Sequence, residues 1–421
     1  MRAGTDESVS AAELPVARWC PRPALVVPET VVDRPRFPVV DIHNHIGRWL
    51  SPSSQWLGGT VSELVGGLDE AGVQTLVNLD GRWDDDLAMN LERYDLAHPG
   101  RFVTFCHLDW SALTDSGSPD DAEAGETLAA QLHVAASQGA RGVKVWKDLG
   151  LSVRDGSGRL VMPDDARVVA ALRVAGELGL PVLIHTADPV AFFDPLDEHN
   201  ERLDELGTMP EWWFGGPEHP TFDELIAALE RLVASCPDTT FVGAHVGCYS
   251  ENLQAVGDML ARRPNWNVDT GGRLGEIGRQ PRAFRRLVES FPDRVVFGSD
   301  CYPPDLDEYR RWWRFLETDD EHFAYHADAD ESGQPTIPPQ GRWRISGVRL
   351  PDDLLSRVYR DNAVRILDLR PGPYQSGDSL ASRIIPKWSQ SGVPDHPKVE
   401  PVWGPRSTQS GASLGALWTG S

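Results

Sequence analysis

Two histidines stand two residues apart at the end of an apolar, β-branched run, Val39-Val40-Asp41-Ile42-His43-Asn44-His45. Side chains on a strand alternate between faces, so Asp41, His43 and His45 are expected on one side and Ile42 and Asn44 on the other. Two imidazoles so placed can grip one cation from a single strand end. Three further runs end in groups of the same kind. Pro181-Val182-Leu183-Ile184 leads to His185, Phe241-Val242-Gly243-Ala244 to His245, and Val295-Val296-Phe297-Gly298-Ser299 to Asp300. A lone histidine is usually a satisfied structural residue, and any one of these endings could be chance. Their joint recurrence is what a metal site requires. Imidazole and carboxylate donors suit Zn²⁺, with Mn²⁺ or Fe²⁺ as alternates.

Such distant residues meet only if the strands that carry them are parallel and end on one rim. Eight short apolar runs are spaced along the chain: Pro38–Ile42, Val73–Leu79, Arg101–Leu108, Gly142–Trp146, Pro181–Ile184, Thr240–Ala244, Trp266–Val268 and Arg294–Phe297. Stretches with helical periodicity separate them, including Val61–Ala71, Asp164–Leu178, Phe222–Ala234 and Pro281–Phe291. Alternation of this kind predicts an α/β fold, a (β/α)₈ TIM barrel, over a doubly wound open sheet, for which no glycine fingerprint is present. The expected organisation is an extended, proline-rich arm over 1–37, the barrel over 38–370 and a Pro/Gly/Ser-rich tail over 371–421. Long connections at 186–220 and 301–350 follow the fifth and eighth strands, on the face where barrel active sites lie. Their aromatic residues are expected mainly to pack the insertions onto the barrel.

Bulk properties narrow the partners. A net charge of −23 repels nucleic acid, and no basic stripe offsets it. No apolar run is long enough to span a membrane and the first residues lack a secretory pattern, so a cytoplasmic location is the default. The 5 cysteines are scattered without paired spacing, which fits neither a disulfide framework nor a zinc ribbon. A homodimer is the base-rate expectation for assembly.

The Asp-x-His-x-His run, the histidines ending strands five and six, and Gly298-Ser299-Asp300 together resemble the amidohydrolase superfamily. The closer likeness is to its aminocarboxymuconate semialdehyde decarboxylase-like branch, and it spans roughly Val39 to Leu369. The resemblance implies that His43, His45, His185 and Asp300 are metal ligands, with one ion per chain. It also implies that His245 contacts the water or the substrate, and that Asp300 carries a proton between water and leaving group. Asp41 is expected to orient a ligand histidine or a strand-end backbone group.

Lys144, on the fourth strand between Val143 and Val145, should point inward, where it pairs with Asp300, binds an anionic substrate or, in two-metal relatives, is carbamylated. Arg273 and Arg279 follow the seventh strand and are candidates for holding a substrate carboxylate, against the plainer reading of solvent-exposed arginines. His107, Asn78 and Asp80 are lesser candidates for the pocket. The leading expectation is a metal-dependent hydrolase of a small, carboxylated molecule using a metal-activated water. The alternative is a metal-dependent non-oxidative decarboxylase using the same residues. A non-catalytic metal-binding barrel comes third, because a purely structural site needs neither Asp300 nor His245 as a proton carrier.

Overall fold

The computed structural model describes Leu14, Pro15, Trp19, Pro21 and residues 23–369, apart from 116–121 and 328–337. The expected tail over 371–421 and most of residues 1–22 lie outside the described residues. Among the described residues, eight strands alternate with eight principal helices: β1 (Val39–Asn44), α1 (Val61–Ala71), β2 (Val73–Asn78), α2 (Asp84–Asn90), β3 (Phe102–Thr104), α3 (Ala122–Gln138), β4 (Val143–Val145) and α4 (Ala166–Glu177). The second half continues with β5 (Val182–Ile184), α5 (Phe222–Ser235), β6 (Phe241–Gly243), α6 (Leu253–Arg262), β7 (Trp266–Asp269), α7 (Pro281–Ser290), β8 (Val295–Val296) and α8 (Leu306–Glu317). Local signals set several boundaries. Thr60 caps α1 by accepting from Glu63 N, and Gly72 ends it at φ 80°. Thr221 and Glu224 form a reciprocal capping box at the start of α5.

All ladders are parallel, β1–β2–β3 in one and β4 through β8 in the other. Backbone hydrogen bonds close both seams. Between β3 and β4, Cys106 N donates to Gly142 O (2.9 Å) and Lys144 N to Cys106 O (2.7 Å). Between β8 and β1, Ile42 N donates to Phe297 O (3.1 Å) and Asp300 N to His43 O (2.8 Å). The result is a closed (β/α)₈ TIM barrel.

Val40, Ile42, Val77, Val103, Phe105, Leu183, Val242 and Val296 fill its lumen, joined by Ala363, Ile366 and Leu367 of the last helical segment. That segment sits under the N-terminal strand ends, where Asn362 Nδ2 donates to Val295 O (2.8 Å) and Arg141 Nη2 to Leu367 O (2.9 Å). The opposite strand faces, including Val39, Val143, Val145, Val182, Phe241 and Val268, pack against the helices.

This layering corrects the expected alternation on β1. Ile42 lies in the lumen with Val40, and Asp41 faces outward to the Tyr309 hydroxyl of α8 (2.7 Å). The pairing with β2 slips between Asp41 and Asn44, which shifts the phase and turns His43 back toward the mouth. The two long insertions lie over that mouth. Arg202, with 1% side-chain exposure, bonds Glu205 (2.6 Å) and Glu276, and Arg342 joins Asp204 (2.8 Å) from the other insertion. Trp312 and Trp313 pack Phe297 on the outside of the barrel, as structural residues.

Candidate metal centre

At the C-terminal ends of the strands, each β1 histidine is held by a carboxylate on its Nδ1. His43 Nδ1 lies 2.8 Å from Asp269 Oδ2 at the end of β7, and His45 Nδ1 lies 2.6 Å from Asp80 Oδ1 beyond β2. A carboxylate on Nδ1 keeps the proton there and leaves Nε2 as a free lone pair. Both Nε2 atoms face Asp300 Oδ1, at 3.5 Å from His43 and 3.7 Å from His45. His245 follows β6 in a left-handed turn at φ 59°. Its N donates to Asp269 Oδ1 (2.9 Å), its Nδ1 to Gly271 O (2.8 Å), and its ring stands 4.0 Å from Asp300 Oδ2. Asp269 therefore positions two histidines at once.

The closest group able to hold an ion is His43, His245 and Asp300, whose ligand atoms all lie within 4.8 Å of one another. Of the four ligands expected from the sequence, His43, His45 and Asp300 converge. His185 stands at the edge, its ring 4.3 Å from that of His245 and its Nε2 3.2 Å from Asp188 Oδ1 without hydrogen-bonding alignment. The backbone leaves little slack. A Cβ on Gly298 would lie 2.7 Å from His43 Cβ, and one on Gly271 2.9 Å from His43 Nδ1.

The cluster fits a metal ion on its own evidence. His45 Nε2 and His185 Nε2 are buried without a hydrogen-bond partner among the described residues. Orphaned polar atoms in a dry site are costly unless something binds them. Three of the imidazoles, those of His43, His245 and His185, are also biased toward the neutral form that can ligate. Burial, reinforced by the Lys144 charge, holds His43 well below its ordinary pKa. Burial and the Arg273 charge do the same for His245, and burial brings His185 down to about 4 against the opposing pull of Asp188. Lys144 Nζ lies 3.5 Å from His43 Nε2, and burial pushes its pKa down to about 8 while Asp300 and Asp269 oppose the shift.

Residues 96–369 match the family described as Amidohydrolase. The chain belongs to the amidohydrolase family. The matched stretch begins after His43 and His45, which the barrel seam carries to the same rim as Asp300. No curated protein matches this amidohydrolase. Among solved structures it is similar to a 2,6-dihydroxybenzoate decarboxylase from Rhizobium, at 16% identity over 79% of this chain and 99% of that one, TM-score 0.48. A dihydroxybenzoic acid decarboxylase from Polaromonas sp. JS666 with bound manganese and 2-nitroresorcinol aligns at 14% identity over 80% and 98%, TM-score 0.49. The 5-carboxyvanillate decarboxylase LigW from Sphingomonas paucimobilis aligns at 15% identity over 73% and 82%, TM-score 0.42.

The two candidate arginines of the amidohydrolase part company. Arg273 is 8% exposed, lies near enough to depress His245, and bonds the Gly272 carbonyl (3.0 Å). Arg279 turns away from the centre, bonding Glu201 (2.9 Å) and stacking 3.7 Å over Trp343. Asp41 faces away from the metal cluster. It accepts from Ser299 N (2.9 Å), Ser299 Oγ (2.6 Å) and Tyr309 Oη (2.7 Å), pinning the turn that presents Asp300. Asn78 bonds Asn90 (2.9 Å), and His107 Nε2 bonds Leu79 O (2.5 Å), so both brace the rim. Asp269 and Asp188 are not among the residues expected from the sequence. Asp269 had one usable signal, a carboxylate at the end of an apolar strand; Asp188 lies in a loop and had none.

In this amidohydrolase, no helix among the described residues is long and apolar enough to cross a membrane.

Proposed function

We propose that the chain is a metal-dependent carbon–carbon lyase that removes a carboxyl group, as carbon dioxide, from a small, flat, carboxylated molecule. The carrying observation is the placement of two buried cations around one carboxylate–imidazole cluster. Lys144 stands beside His43, and Arg273 beside His245, with a backbone carbonyl as its one hydrogen-bond partner among the described residues and the Glu205 carboxylate within reach of its charge. Buried cations of this kind call for an anion. Trp146 and Tyr302 wall the site, their rings 5.2 and 5.4 Å from that of His45, which suits a planar substrate. A carboxylate drawn from water into such a site loses hydration, and departure of neutral carbon dioxide relieves that cost.

His43, His45, His185 and Asp300 would hold the ion, Zn²⁺, Mn²⁺ or Fe²⁺. When bound it supplies Lewis-acid polarisation of a substrate oxygen. Asp300, which water can reach, relays a proton from water to the carbon whose bond to the departing carbon dioxide breaks. His245, with Nδ1–H on Gly271 O, is fixed in orientation beside the reacting group. Hydrolysis of a C–N or C–O bond is the second reading, favoured by the 19% exposure of the Asp300 side chain, which lets water reach it.

The test incubates metal-loaded protein with ring carboxylates and, separately, with amides and lactones. Release of carbon dioxide from the first set supports the proposal; cleavage of the second set without carbon dioxide overturns it. Asp300→Asn should lower turnover by roughly 10²–10⁴-fold, with the melting temperature nearly unchanged.

A further inference from the structure

Beside the centre, on the β2–β4 side of the mouth, lies a cavity of about 230 Å³ lined by Arg82, His107, Trp110, Lys144, Trp146 and Asp148, among others. Lys144 forms its inner end, 3.5 Å from His43, so the cavity and the metal cluster share a wall. Two polar groups there feel each other's charge, and Trp110 turns its N–H toward the Asp148 carboxylate, yet neither group is fully paired among the described residues. Asp148 Oδ1 is buried without a hydrogen-bond partner. The Arg82 guanidinium lies flat on Trp83 (3.9 Å) and Trp49 (4.7 Å), and among the described residues it makes no ion pair. Burial pushes the Asp148 carboxyl up to about 6, with the Arg82 charge pulling the other way. A void of roughly 150 Å³ already accommodates benzene, and this one has room for a single substituted ring.

We infer that this cavity selects the substrate: it seats one aromatic ring against Trp110 and Trp146 and reads a substituent that presents a donor to Asp148 beside an acceptor to Arg82, as a carboxamide or lactam edge does. The inference rests on the proposed reaction only in placing the carboxyl group that leaves toward Lys144. A carboxylate oxygen without a donor and a guanidinium without an acceptor are satisfied together by such an edge. A plain ketone leaves Asp148 orphaned, and a second carboxylate is repelled by it.

The experiment titrates metal-free protein with 3-carbamoylbenzoate, 3-acetylbenzoate and isophthalate, following tryptophan fluorescence and calorimetry. We expect 3-carbamoylbenzoate to bind at least about tenfold tighter than 3-acetylbenzoate. Asp148→Ala should erase that preference while leaving 3-acetylbenzoate binding within about threefold, and Arg82→Met should weaken both ligands. Asp148→Asn, which keeps an acceptor oxygen, should retain part of the preference and guards against misfolding as the cause. Equal affinities in the unmodified protein, or a preference that survives Asp148→Ala, overturns the inference. Because binding is read without metal, the outcome is separable from the reaction. Selective binding without carbon dioxide release from any ring carboxylate would sink the lyase proposal and leave the pocket standing.

Discussion

Replacing Asp269 by asparagine tests the centre with the smallest steric change. Asp269 Oδ1 accepts from His245 N and Gly271 N, each at 2.9 Å, while Oδ2 takes the proton side of His43 Nδ1 at 2.8 Å. Asparagine has one oxygen and one NH₂ to cover three donors. Turning the NH₂ toward the backbone strands two buried N–H groups, at about 1–3 kcal/mol each. Turning it toward His43 satisfies the backbone and costs only a change of tautomer, so this arrangement wins. His43 must then accept at Nδ1 and carry its proton on Nε2, the atom 3.5 Å from Asp300 that would face the ion. Loss of a carboxylate behind a ligand histidine weakens metal binding by roughly 10–100-fold, or about 1.4–2.7 kcal/mol. The assay is competition for Zn²⁺ against a chromophoric chelator, run beside thermal melts of the metal-free proteins. Affinity within about threefold of the parent, in a variant that melts normally, would show that His43 Nε2 is not a ligand and would undo the assignment of the centre.

Three further outcomes follow from the same geometry. Gly298→Ala places a Cβ 2.7 Å from His43 Cβ, so it should weaken Zn²⁺ binding in the same competition assay by displacing His43. Arg279→Ala should leave KM and kcat within about twofold, because Arg279 is engaged by Glu201 at the surface and a half-exposed pair of this kind is worth little; a large rise in KM would return Arg279 to the substrate site. Burial raises Asp41 from its ordinary 3.8 to about 6, so the folded state holds that proton more tightly than the unfolded state. Its stabilising contribution is therefore full below pH 3.8 and is lost as pH rises through about 6, on the order of 3 kcal/mol. Melts of the parent and of Asp41→Asn across pH 4 to 7 should differ in slope in that window, and parallel profiles would refute the assignment.

Much of this was legible in the chain because barrel strands end on a common rim. His43, His45, His185, His245 and Asp300 could be grouped without knowing any contact, and the helical periodicity of Val61–Ala71 matches α1 to the residue. What escaped was set by partners distant in sequence. The slip between Asp41 and Asn44 depends on pairing with β2, so strict alternation put Asp41 on the wrong side. Arg279 looked as available as Arg273 because Glu201, 78 residues away, gives no local sign of its presence. Asp269 resembles any strand-end carboxylate until the fold brings the His43 ring against it. His185 has the expected position at the end of β5; what gave no sign was Asp188, three residues on, 3.2 Å from its Nε2.

The clasp of Arg202 with Glu205 and Glu276, together with the Arg342–Asp204 tie, lashes the β5 insertion to the β7 turn and the β8 insertion. One side of the mouth is thus braced as a single plate, while the cavity lined by Arg82 and Trp110 lies on the β2–β4 side. Cutting the Arg342–Asp204 tie should loosen the two insertions together and leave the strands beneath them in place.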